Sequence, residues 1–141
     1  MYCKISSIKA WNNTPTNYGA NEVIKFDKSK TNGKIIELKN NSFYLKCFGT
    51  YLITLDISAK PTNDNNPVIL TINKDEVALP GGSLTINQAN NNQDPENASL
   101  TTVVDIKPYD IKCLEESPII SITNTGTAST VAFANITIVR L

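Results

Sequence analysis

The apolar residues of this chain come in short runs with a period of two, and clusters of asparagine and proline separate the runs. Residues 50–58 (TYLITLDIS) show the pattern most clearly. Extended, they place Tyr51, Ile53, Leu55 and Ile57 on one face and Leu52, Thr54 and Asp56 on the other. Strand character also marks residues 22–27 (EVIKFD), 34–38 (KIIEL), 43–47 (FYLKC), 68–73 (VILTIN), 76–79 (EVAL), 83–87 (SLTIN), 99–106 (SLTTVVDI), 119–123 (IISIT) and 130–141 (TVAFANITIVRL). Asparagine tolerates left-handed backbone and closes local turns, so residues 12–13, 40–41, 63–67 and 87–97 read as loops. Residues 73–75 read as a hairpin connection, Pro80-Gly81-Gly82 as a break and residues 124–127 as a turn. β-Branched residues fill the apolar positions, and no capping box opens a run with helical period. About eight to ten short strands with no helix to cover them must close their apolar faces on one another, as a sandwich or barrel. At 141 residues the chain suits one domain with a sizeable core.

Composition narrows the function. Thirteen basic and thirteen acidic residues cancel, and the lysines at 25, 28, 30 and 34 are interrupted by Asp27 and polar residues. No block neutralises phosphates in the way nucleic-acid binding requires. Near-zero charge gives little protection against self-association. No apolar run is long enough to span a membrane, and the opening MYCKISSIKAWNN lacks the apolar core of a secretory signal. The chain has no histidine, which removes the commonest general base and metal ligand and excludes Ser-His-Asp and Cys-His nucleophile systems. We therefore expect no enzyme and no cofactor. Three cysteines, Cys3, Cys47 and Cys113, form no C-x-x-C pair. Cys47 and Cys113 read as small buried hydrophobes in preference to a disulfide, and Cys3 as a free thiol in an N-terminal arm.

Other chemistry finds little support. The acidic pairs Glu115–Glu116 and Asp94/Glu96 read as solvated loop carboxylates. Asp64, Asp75 and Asp94 lack the spacing of a calcium loop and read as turn formers, so no metal is expected. Pro80-Gly81-Gly82-Ser83 has no following lysine and no helix to cradle a phosphate. Trp11 and Tyr18 could stack on a sugar; as aromatics of a terminal arm, they read first as residues that pin that arm to its own or a neighbouring subunit.

The closing strand carries apolar groups on both faces. Ala134, Ile136, Ile138 and Arg140 alternate with Phe133, Asn135, Thr137, Val139 and Leu141. A strand wetted on one side would be polar there. We expect a central strand covered by the domain's own second sheet and, on its other side, by a neighbouring subunit.

The order of these segments resembles a known family. An apolar segment, Gly49-x-Tyr51, a long alternating strand, a polar loop and VILTINKDEVAL are followed by LTTVVDIKP and a terminal apolar strand. This resembles the trimeric jelly roll of the complement and tumour necrosis factor superfamily, and the ending ISITNTGTASTVAFANITIVRL looks like its bacteriophage and bacterial surface forms. The resemblance implies an all-β jelly-roll sandwich over residues 22–141 behind an N-terminal arm of residues 1–21. It implies a homotrimer with Leu52, Thr54, Phe133 and Val139 at the threefold contact. In the phage form, the chain is a structural virion protein, a capsid decoration or head-fibre domain assembled in the host cytoplasm. It is held to other virion proteins through Trp11 and Tyr18, with Asn90, Asn91, Asn92 and Asn97 on outward loops. The alternative is an adhesion module that binds a host glycan or receptor through those loops. The segment 109–118 departs from the family, which has a short Gly-Asp turn there.

Overall fold

A computed structural model describes residues 6–62, 66–87, 94–108 and 117–141. Eleven strands occur among them: β1 (Ser7–Asn12), β2 (Thr16–Tyr18), β3 (Lys28–Asn32), β4 (Ile36–Lys39), β5 (Ser42–Leu45), β6 (Gly49–Pro61), β7 (Val68–Lys74), β8 (Val77–Ile86), β9 (Glu96–Ile106), β10 (Ile119–Asn124) and β11 (Ser129–Arg140). They form two antiparallel sheets. The first has the order β3-β1-β11-β6-β9, with β2 also paired to β11; the second has the order β4-β5-β10-β7-β8. The all-β jelly-roll sandwich expected from the sequence is the fold observed.

Alternation builds the core. Tyr51, Ile53, Leu55, Ile57 and Ala59 of β6, with Ala134, Ile136 and Ile138 of β11, face Phe43, Leu45, Val68, Leu70, Ile72, Ile120 and Ile122 of the second sheet in one buried cluster. Each large aliphatic side chain buried this way contributes roughly 1.5–3 kcal/mol relative to exposure. Phe26 meets Phe43 edge-on, with ring centroids 5.5 Å apart.

Gly49 and Tyr51 act as the sequence suggests. Gly49 has φ +141, and a Cβ there would lie 2.8 Å from Arg140 Nε, so the entry to β6 requires glycine. The Tyr51 ring is fully buried, and its hydroxyl donates to the Cys47 carbonyl at 2.7 Å.

Several expectations are corrected. The described part of the supposed arm belongs to the first sheet: β1 lies between β11 and β3. Ser7, Lys9 and Trp11 alternate there with buried Ile8, Ala10 and Asn12. Residues 22–27 are not a strand. They run beside β10 through a single bridge, Val23 to Thr123, and two flanking backbone bonds, and the strand comes later, at β3. All five β3 residues are exposed; an edge strand is held by its backbone ladder and needs no apolar alternation. The β7–β8 turn is at Asp75 and Glu76, both at positive φ, as a two-residue hairpin of the primed type requires. Pro80-Gly81-Gly82 does not break β8. It forms the bulge where the β7 register shifts between Thr71 and Asn73, which an edge strand tolerates because one side is unpaired. Cys47 is buried as expected, but it is disulfide-bonded, and its partner lies outside the described residues. The readings of Cys3 and Cys113, and most of segment 109–118, also lie outside them.

Burial raises the Tyr51 phenol above its ordinary value, against an opposing pull from Arg140. The folded chain therefore keeps a proton that the unfolded chain gives up above about pH 10, so stability falls as pH rises through that range. Tyr51→Phe should cost roughly 1–3 kcal/mol at neutral pH by removing the buried bond to the Cys47 carbonyl. It should also remove this part of the alkaline loss, so the gap between wild type and variant in urea melts narrows above about pH 10.

Candidate assembly surface

The pairing register sorts the outward face of the first sheet into rows. Val139 is opposite Leu52, and Leu52 is opposite Val103. This makes an apolar row across three strands in which Val103 is 52% exposed. The next row is Lys9, Thr137, Thr54 and Thr101, and the one beyond is Trp11, Asn135, Asp56 and Ser99. In that row Ser99 Oγ donates to Asp56 Oδ1. Phe133 is opposite Ser58, and Ser58 is opposite Asn97. Two further apolar groups lie near the Leu52 end, Phe48 at 45% and Leu141 at 64% exposure.

A bulge sets the Phe133 position. The β11 register shifts between Val131 and Phe133. Val131 is buried, Phe133 is half-buried and Ala134 is buried again. In an unbroken strand Val131 and Phe133 would share a face; the extra residue turns Phe133 outward.

The structure thus brings Leu52, Thr54 and Val139 together, with Phe133 on the same face about 20 Å along the strand from Leu52. β11 is central, between β1 and β6, as its two apolar faces suggest. Charge divides this face: Lys9, Lys28 and Lys30 lie on the β1–β3 flank, and Asp56 and Asp105 on the β6–β9 flank. Asp105 bonds to Lys107, and this contact holds its carboxyl below the usual range.

The other site residues divide. Trp11 is half-buried on this same outward face. Tyr18 is not available for attachment: it is 2% exposed, and its hydroxyl oxygen accepts from the Lys25 amide at 3.1 Å. Its carbonyl accepts from Asn124, which also bonds Gly19 and Thr127. The ring of Tyr18 therefore fills the sandwich. Asn97 is a β9 residue and not a loop residue, because the strand begins at Glu96, earlier than apolar alternation indicates. Asn90, Asn91 and Asn92 lie outside the described residues. Sequence reasoning misses Val103 and the lysine flank; Val103 is legible as an apolar residue of the outward parity of 99–106.

No protein-family model and no curated protein matches the sequence. Solved structures do resemble the fold. The globular domain of zebrafish complement 1qA aligns over 92% of this chain and 94% of its own, with TM-score 0.61 and 12% identity. An Eiger TNF from S. frugiperda aligns over 96% and 91%, with TM-score 0.62 and 10% identity. The chain shares their jelly-roll fold. The PRD1 vertex protein P5 shares it over 96% of both chains, with TM-score 0.54 and 15% identity. These likenesses cover nearly the whole chain.

The two faces of β6 should respond differently to truncation. Leu55→Ala empties a fully buried site and should cost about 2–5 kcal/mol. Leu52→Ala, on the outward face, should cost under about 1 kcal/mol in unfolding of the dilute chain. Urea titration of both variants checks this; equal losses would contradict the assignment of faces.

Proposed function

We propose that this chain is a structural subunit of a virus particle, a homotrimer that assembles through the outward face of its first sheet. The observation that carries the reading is the outward apolar row of half-buried Val139 and Leu52 with exposed Val103, on the two central strands and the adjoining edge strand. A monomer would leave these apolar groups in water at a site where sheets of this kind are otherwise polar. A ring of copies joins unlike patches of neighbouring molecules. The lysine flank at β1–β3 faces a β6–β9 flank where Asp105 is paired with Lys107 and Asp56 supplies the opposite charge, which favours one register. The likeness to a phage vertex protein supports placement on a virion, as capsid decoration or head fibre. Trp11, half-buried on this same face beside the lysine flank, is covered in such an assembly, and Tyr18 is interior, so neither is assigned to contact with the particle.

Light scattering or equilibrium sedimentation at micromolar protein should give three times the 15.4 kDa chain mass. An interface of this kind buries more than about 1,000 Å². Placing a charge at its centre, as in Leu52→Asp with Val139→Asp, should release a folded monomer. A 15.4 kDa species for the wild type contradicts the trimer. Failure of antibodies against the chain to label purified particles contradicts the virion role.

A further inference from the structure

The second sheet carries a groove on its own outward side, of about 680 Å³, lined by Asn21, Val23, Ser42, Asn73, Asp75, Glu76, Ile119, Ser121, Thr123 and Thr125. Its floor is built from β10 and β7, where Ser121 is opposite Asn73. One wall is the β7–β8 turn with Asp75 and Glu76, and the other is the segment beside Val23. Asn73 is only 8% exposed, deep for an amide on the outer side of a sheet. Its Nδ2 donates to the Thr71 carbonyl and to Thr123 Oγ1. This fixes the amide plane, and Oδ1 accepts no hydrogen bond from any described residue. Among the described residues no fully buried polar side-chain atom lacks a partner, so Oδ1 opens into the groove. With its donor side already committed, this fixed acceptor is positioned to receive a hydrogen bond from a ligand that displaces water from the groove.

The surroundings identify the donor's class. Asp75 is held in place, because its amide donates to the Ile119 carbonyl and its Oδ1 accepts from the Ile119 amide, both at 2.9 Å. One carboxylate oxygen is thus engaged and the other is available. Ser42, Ser121 and Thr123 add hydroxyls, while Val23 and Ile119 add apolar surface. No lysine or arginine is among the groove's lining residues, and Asp75 and Glu76 repel anions. Among the described residues no group of three His, Cys, Asp or Glu could hold a metal. Acceptors, hydroxyls and a small apolar patch in a cleft of ligand size match a molecule with adjacent hydroxyls and a C–H face.

We propose that this groove binds a neutral saccharide, whose hydroxyls donate to Asn73 Oδ1 and to the Asp75 carboxylate while its C–H face rests on Val23 and Ile119. The site is on the opposite side of the sandwich from the assembly surface, so it stays open when the first sheet is covered. The proposal does not rest on the assembly reading. It also differs from the glycan alternative raised by the sequence, which places binding on Asn90–Asn97.

The test is an array of neutral, sialylated and sulfated glycans probed with the full chain, followed by titration of each bound sugar at up to millimolar concentration. Asp75→Asn keeps the left-handed turn and the bond to Ile119 but discharges the carboxylate; Ser121→Tyr fills the groove. Each should weaken neutral-sugar binding about tenfold or more, with the melting temperature held, while Ser99→Ala on the first sheet should leave it unchanged. Should Ser121→Tyr fail to fold, Asp75→Asn alone decides. Binding confined to anionic glycans, no binding at millimolar sugar, or binding indifferent to Asp75→Asn overturns the proposal. Molecular mass is read separately, so failure here is distinguishable from failure of the trimer.

Discussion

The ladder between β6 and β11 joins the two longest strands of the molecule, Gly49–Pro61 and Ser129–Arg140, and the remaining structure is arranged around it. Its register runs from Tyr51 opposite Arg140 to Pro61 opposite Ser129, with a single bulge. Because side chains alternate with period two, this register decides the environment of every residue on both strands. A one-residue slip would move Tyr51, Ile53, Leu55 and Ile57 into water and bury Asp56. Both ends are fixed locally. Arg140 Nε donates to the Phe48 carbonyl at 3.1 Å beside Gly49, and Asn124 ties the opposite end to Tyr18, Gly19 and Thr127.

The same ladder makes the two sides of the sandwich chemically different. On the first sheet it puts aliphatic and aromatic groups outward, from Val103 across Leu52 to Val139 and along β11 to Phe133. On the second sheet, hydroxyls and amides face out: Thr71 bonds Thr125 at 2.8 Å and Ser83 at 3.1 Å, next to the Asn73 amide. One face suits contact with protein and the other suits a polar ligand. A domain that carries an adhesive side and a wet, concave side can be built into an assembly without losing its outward chemistry.

The central strands are legible in the sequence and the edges are obscure, for a physical reason. Strands such as β6, β7, β10 and β11 bury one face, so burial writes alternation into them, and that alternation identifies their outward residues except at the bulges of β7 and β11. The lysine-rich β3 buries nothing and is recognisable only by its backbone pairing. β1 carries just Ile8 and Ala10 inward as apolar groups, too weak a pattern to distinguish a strand from an arm; for the same reason the pattern puts Tyr18 on an arm and the fold puts it in the core. The Asp75–Glu76 turn is displaced in a sequence-based reading because Asn73 offers a stronger turn signal and Glu76 is not a usual left-handed residue. The disulfide at Cys47 is hidden because an odd cysteine count leaves the pairing open. Asn73 reads in sequence as one more turn residue; only the fold shows that its amide is sunk into a groove.

Trp11 provides the most direct test of the central claim, that copies of this chain cover the outward face of the first sheet. It is the single tryptophan of the chain and stands on that face. Its emission and its quenching by acrylamide, followed while the protein is diluted from micromolar to nanomolar, report whether the surface is covered. A shift to the red with rising quenching over one dilution range is the result this account predicts. Emission and quenching of a water-exposed indole at every concentration would contradict it.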